Sequence, residues 1–256
     1  MNQPSFHAPN SAFDLIICDI DGCLGPESTA PLDVNKLARV TAHNVQALQQ
    51  RDRALITLCS GRPLGFVEAM SRLLSNTCMP AIAENGVWLW SPVGNAYSPD
   101  PAITQAHVAM LDEVRAWISQ TWASQGIFQQ PDKPYAISLF HPDPKVLEDL
   151  VPQLQEQCAQ KAWPLRISMT WAWINCDLAF VSKSTAIDRL VTQEKLNPKR
   201  LLGIGDTLGD LKIRERVAYF ACPANADPRL KEHADYVSNN AEIDGVLDIL
   251  DHSMSR

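Results

Sequence analysis

Apolar residues fall along this chain in two rhythms. Short unbroken runs of strand length occur at Leu15-Ile16-Ile17-Cys18, Ala54-Leu55-Ile56-Thr57-Leu58-Cys59, Ala81-Ile82-Ala83 and Leu201-Leu202-Gly203-Ile204. Runs without alternation read as strands buried on both faces, as in parallel sheets. Between them the spacing turns helical. Leu37, Val40, Val45 and Leu48 predict a helix from Asp33, its N-cap, to Gln50. Pro63 starts a second, through Leu74, and Lys183 opens another. Glu84-Asn85-Gly86 predicts a turn after which Val87–Trp90 pairs back. Strands are also expected at Ala218–Ala221 and Tyr236–Val237, with a closing helix from Ile243 to Leu250. This alternation builds a parallel sheet through right-handed crossovers.

The alternation stops near Ser91-Pro92, where composition shifts toward Pro, Gln and Trp. A helix from Ile103 to Trp122, a strand over Tyr135–Phe140 and a helix from Pro144 to Gln160 follow. Strands at Leu165–Met169 and Trp173–Cys176 then precede the return of the first rhythm. That order predicts a small α+β domain with an antiparallel sheet, inserted into an α/β core. The expected division is a loose tail at 1–12, a core of 13–90 and 177–256, and an insertion at 91–176. Among the insertion's tryptophans, Trp117 reads as core. Trp171 and Trp173 share one face of a strand and belong to sheet core or to a pocket wall.

Composition narrows the class. A net charge of -7 argues against nucleic acid as a partner and says little about an anionic substrate. Seven cysteines, an odd number without a CxxC pair, suggest neither a disulfide framework nor a zinc site. No secretory apolar region and no apolar run of membrane-spanning length is seen, so a cytoplasmic protein without a membrane partner is expected.

The chemistry gathers where the buried runs end. Strand period two puts Asp19 and Asp21 on one side of the backbone as it leaves the sheet. Two carboxylates that close repel unless a cation holds them, and Gly22 then lets the chain turn. Other runs end in Ser60 and in Asp206 with Asp210, and Lys183 begins a helix. An aspartate after a strand is often only a turn former. Together these groups describe one apparatus at the rim where open α/β sheets bind ligands. Carboxylates suit magnesium, while a hydroxyl, a lysine and backbone N–H groups suit a phosphate.

Asp19-Ile20-Asp21-Gly22, Ser60-Gly61-Arg62, Lys183 and Gly205-Asp206 through Asp210 resemble, in order, the four motifs of the haloacid dehalogenase superfamily. Glu84-Asn85-Gly86, Asn225-Ala226-Asp227, Ala234-Asp235-Tyr236-Val237 and Asp244-Gly245-Val246 are similar to its Cof-type, class IIB phosphatases. The resemblance implies a Rossmann-like parallel-sheet core with an inserted α+β cap serving as a lid. It implies a magnesium-dependent phosphatase of a small phosphorylated metabolite, a sugar phosphate or a phosphorylated hydroxy acid, acting through an aspartyl-phosphate. Asp19 would be the nucleophile and Asp21 the general acid and base. Asp19, Asp206 and a backbone carbonyl of Asp21 would hold the metal, with Asp210 a further ligand or an orienter of Lys183. Ser60, Gly61 and Lys183 would bind the phosphoryl group.

Three positions depart from the pattern. Cys23 stands where the family usually has Thr, Ser184 where Gly often follows the lysine, and Gly209 where Asn commonly precedes the last Asp. The last removes an oxygen near the metal and predicts weaker magnesium affinity. Arg62 either reaches substrate or cap, or bonds a carboxylate of its own domain. Asn85 is a turn residue or a ligand. The rivals to hydrolysis are a phosphomannomutase-like phosphotransferase and a non-catalytic module binding a phosphorylated ligand. Oligomeric state leaves no mark in the sequence.

Overall fold

The computed structural model describes residues 6–170 and 173–255. The chain opens with β1 (Leu15–Cys18), α1 (Val34–Gln50), β2 (Leu55–Leu58), α2 (Leu64–Leu73) and β3 (Ala81–Ala83). After the turn at Glu84–Gly86 come β4 (Trp88–Ser91) and β5 (Ala96–Pro99). Then follow α3 (Gln105–Thr121), β6 (Phe128–Gln129), β7 (Ala136–Phe140), α4 (Pro144–Lys161), β8 (Leu165–Met169) and β9 (Trp173–Leu178). The chain ends with α5 (Lys183–Glu194), β10 (Leu201–Ile204), α6 (Leu211–Arg214), β11 (Tyr219–Cys222), α7 (Pro228–Lys231), β12 (Tyr236–Val237) and α8 (Glu242–Met254).

Two compact units result: the chain through Ser98 joined by the chain from Lys183, and the insertion Pro99–Ser182. The first contains a parallel sheet ordered β12-β11-β10-β1-β2. In its centre Leu15 lies opposite Leu201 on one side and Leu55 on the other. The unbroken apolar run of β1 is buried on both faces, as expected. Ile16 and Cys18 pack with Leu37, Val40, Val246 and Ile249 of α1 and α8. Leu15 and Ile17 pack with Ala186, Ile187, Leu190 and Ile213 of α5 and α6. A single parallel bridge, Cys59 to Ile82, sets β3 beside the end of β2.

The insertion begins and ends later than expected. Ser91-Pro92 reads as an exit from the core, but Val93-Gly94-Asn95 turns back, with Gly94 at φ 73°, and returns β5 to the edge of β4. At the far end β9 continues through Leu178 instead of stopping at Cys176. The expected loose tail at 1–12 is corrected for its described part. Phe6 and Ala8 are buried. Arg200 donates to the carbonyls of Ala8 and Ser11 at 2.8 Å and to the Asp14 carboxylate at 2.8 Å.

The insertion is an antiparallel sheet ordered β6-β7-β9-β8, with helices on one face. Leu111, Val114 and Ile118 of α3 and Leu147, Leu150 and Leu154 of α4 bury Ile137, Leu139, Ile174 and Cys176. Trp117 packs against this core, edge-on to the buried Trp122 at 5.0 Å. Trp173 sits 5.0 Å from Phe140, and Trp171 lies outside the described residues. Among the described residues no helix is long and apolar enough to cross a membrane.

Candidate active site

Three turns leave the carboxyl ends of β1, β10 and β2, and the sheet order makes the first two immediate neighbours. Asp19 is the first residue beyond β1, and its N–H donates to the carbonyl of Ile204 at 3.0 Å. Its Oδ1 accepts the N–H of Ile20 at 2.7 Å and its Oδ2 accepts from Lys183 Nζ at 2.7 Å. The same ammonium donates to Asp210 Oδ1 at 2.7 Å. Asp210 is fully buried, and its Oδ2 accepts from Asp206 N, Thr207 N and Thr207 Oγ1. This is a local cap built on the Thr207-x-x-Asp210 spacing. Both oxygens of Asp210 are thereby committed to protein donors.

Asp206 is different. It is buried, and among the described residues its carboxylate has only a weak thiol contact, Cys23 Sγ at 3.9 Å from Oδ1. Burial, then the nearby charges of Asp210 and Asp19, push its pKa up to about 9. Burial raises Asp19 to about 7 against the pull of Lys183, with Asp210 adding to the rise. For Lys183 burial works downward, but Asp19 and Asp210 outweigh it and hold the ammonium form well above its ordinary range. Three buried carboxylates facing one ammonium leave local negative charge, which is disfavoured in a low dielectric. One oxygen from each of Asp19, Asp206 and Asp210 lies within 4.8 Å of the others. An all-oxygen, negatively charged set of this kind fits a hard divalent cation such as magnesium.

The remaining expected residues occupy the neighbouring turns. Asp21 stands outside that carboxylate group, with its side chain engaged by Arg62: Nε lies 3.0 and 2.8 Å from the two oxygens and Nη2 2.5 Å from Oδ1. Of the two readings open for Arg62, the structure has the carboxylate of its own unit. Ser60 is fully buried, and its Oγ accepts the N–H of Arg62 at 3.2 Å. Gly61 abuts Asn85: a Cβ there would come 2.9 Å from Asn85 Oδ1. Asn85 sits in a left-handed turn, with φ 50°, 52° and 112° at Glu84, Asn85 and Gly86, and its N–H donates to the carbonyl of Ser60 at 3.1 Å. Cys23 is fully buried, and burial drives its thiol pKa up, so it behaves as an inert small residue.

Two contributors carried no assigned role in the sequence. Asn225 donates from Nδ2 to the carbonyl of Gly22 at 2.9 Å and accepts on Oδ1 from Glu242 N at 2.7 Å. It ties the turn after β1 to the start of α8. Thr207 had a usable signal, the capping spacing. Asn225 had none beyond its place in a recognisable stretch, because its partners lie far away in the chain.

The model of the haloacid dehalogenase-like hydrolases matches residues 93–250, which include Lys183, Asp206 and Asp210 but not Asp19, Asp21 or Ser60. A phosphoglycolate phosphatase from Staphylothermus marinus is 20% identical over 242 residues, covering 93% of this chain and 96% of that protein. Among solved structures, a HAD/COF-like hydrolase from Plasmodium vivax superposes with a TM-score of 0.73 at 16% identity, covering 96% of this chain and 97% of that one. The sucrose-phosphatase of Synechocystis superposes with a TM-score of 0.62 at 17% identity, covering 94% and 97%. These structures share the fold at identities too low to carry more than that. A match spanning more than half of the chain, on a core whose sheet order brings the motif residues to one rim, makes this protein a member of the haloacid dehalogenase-like hydrolases.

Proposed function

We propose that the protein hydrolyses a phosphomonoester of a small metabolite, a sugar phosphate or a phosphorylated hydroxy acid, through a phosphorylated Asp19. The observation that carries this reading is the meeting of Asp19, Lys183 and Asp210 across two adjacent parallel strands, with Asp206 in the same group. A carboxylate oxygen of Asp19 attacks phosphorus, and the bond from phosphorus to the ester oxygen breaks. The departing oxygen takes a proton from Asp21. Water then attacks the acyl phosphate, gives its proton back to Asp21, and releases phosphate and the free Asp19 carboxylate. Ser60 and Lys183 hold phosphoryl oxygens, and Lys183 offsets the repulsion between Asp19 and the anionic substrate. Magnesium, held by Asp19 and Asp206 with Asp210 behind them, would supply positive charge to the phosphoryl oxygens. The name carried by the full-length relative, phosphoglycolate phosphatase, supports the substrate class. The free, mostly buried cysteines suit a reducing cytoplasmic setting.

The test is phosphate release from p-nitrophenyl phosphate and a panel of phosphorylated metabolites, with and without magnesium, by the wild type and by Asp19→Asn. The variant should lose activity by about 10⁴-fold or more. Retention of most turnover by Asp19→Asn defeats the reading. Isomerisation of a hexose 1-phosphate without phosphate release favours phosphotransfer instead.

A further inference from the structure

The contact between Arg62 and Asp21 is stronger in geometry than a surface ion pair requires. Both side chains are only about three-tenths exposed, and the guanidinium addresses both carboxylate oxygens. Arg62 is itself held on every side. Its N–H donates to Ser60 Oγ at 3.2 Å, its carbonyl accepts from Glu84 N at 3.1 Å, and its guanidinium lies over the Phe66 ring at 5.2 Å. Pro63 follows at the N-cap of α2, and a residue before proline is disfavoured in helical conformation, which keeps Arg62 out of the helix.

As a fold staple the pair explains little. Partly exposed ion pairs contribute about 0–1 kcal/mol. The hydrophobic faces of β1 and β2 already join these turns. The arrangement does have a consequence for chemistry, however. Ser60 Oγ accepts from Arg62 through a lone pair, so its own proton is free to point toward a phosphoryl oxygen. The residue that orients the Ser60 hydroxyl through its main chain orients Asp21 through its side chain.

We propose that Arg62 is a positioning residue for the acid-base step: its planar fork fixes the direction in which Asp21 presents its carboxyl group to the ester oxygen, in register with the phosphoryl group held at Ser60. The proposal rests on the reading of Asp21 as proton donor given above. A lysine cannot replace Arg62 here, because a point charge on a flexible stem does not impose an orientation.

Leaving-group dependence tests it. An alkyl phosphate expels a poor leaving group and needs a placed proton donor, whereas 2,4-dinitrophenyl phosphate does not. For Arg62→Met, kcat/KM should fall at least about tenfold more on a primary alkyl phosphate than on the dinitrophenyl ester, with the loss mainly in kcat. Arg62→Lys should stay close to Arg62→Met, and Asp21→Asn should show the same bias more steeply. Equal losses on both esters, or a loss confined to KM, overturn the proposal by making Arg62 a structural or substrate-binding residue. Full rescue by lysine also overturns it, since charge alone would then suffice. If Arg62→Met fails to fold, the lysine variant alone decides between the two. Absence of bias in Asp21→Asn removes the proton donor itself, and with it the role given to Arg62, while leaving the Asp19 result to judge hydrolysis independently.

Discussion

Gly22 and Asp206 occupy the same space to the limit that a missing side chain allows: a Cβ on Gly22 would lie 1.9 Å from Asp206 Oδ2. The backbone there is also left-handed, with φ 71°. The turn after β1 is therefore pressed against the carboxylate at the end of β10. No other residue type permits both the conformation and the approach.

Gly22→Ala should abolish phosphate release and lower the melting temperature, because Asp206 must move away. Gly94→Ala is the control: it shares a positive φ of 73° but has nothing within 4 Å of the new carbon. It should lose only the conformational increment, about 1–2 kcal/mol, and keep its activity. Similar melting curves and activities for the two variants would refute the steric argument.

The raised pKa values of Asp19, about 7, and Asp206, about 9, predict how pH and magnesium act together on stability. Relative to an unfolded chain whose carboxyls titrate near their usual value, the metal-free fold binds extra protons between that value and the raised ones. The stability held by those protons is complete below the ordinary carboxyl pKa and is lost as pH rises through 7 and 9. A cation replaces the protons. The rise in melting temperature on adding magnesium should therefore grow from pH 5 to pH 9, and chelation should destabilise most at the alkaline end. Differential scanning fluorimetry across that range checks it, and an increment that is flat or shrinks with pH contradicts it.

Gly209 has room for a side chain, since a Cβ there would meet only Thr207 Oγ1 at 3.4 Å. Gly209→Asn restores an amide oxygen beside Asp210 and should tighten the apparent magnesium affinity several-fold. Titration of activity with magnesium reads this directly. An unchanged midpoint would mean that the oxygen is supplied elsewhere.

Asn225 bridges two elements by satisfying the Gly22 carbonyl and the Glu242 N–H at once. Asn225→Ala should lower stability by about 0.5–1.5 kcal/mol, since only the Gly22 carbonyl is partly buried and the Glu242 N–H is open to water, and should weaken magnesium activation as the turn after β1 loosens. Asn225→Asp keeps the acceptor and loses the donor. It should retain the Glu242 contact while still releasing Gly22. Denaturant titration together with magnesium titration separates the two effects.

How much of this was legible beforehand depends on how local each cause is. Asp19 and Asp21 announce themselves because a strand buried on both faces ends in polar groups, and that contrast needs no partner to be seen. Asp210 was likewise visible, although its attachment to Lys183 required the fold. Arg62 stayed open between two partners because both readings place an arginine at the start of α2. The edge of the insertion is hard to read for a similar reason: Ser91-Pro92 looks like a departure, and only the geometry at Gly94 shows the chain turning back. The packing of Ala8 and Phe6 is hidden because their partners, Arg200 for the Ala8 carbonyl and Arg51 over the Phe6 ring, lie far along the chain.

That β1 lies between β2 and β10 has a consequence for how the protein is made. During synthesis β1 meets β2 early, but its other edge waits for Leu201 and the residues after it, until most of the polypeptide has emerged from the ribosome. For that interval an apolar strand with an unsatisfied hydrogen-bonding edge is exposed, the kind of surface that recruits chaperones or invites self-association. Truncation before β10 leaves such a fragment permanently, and fragments of that kind are expected in the insoluble fraction.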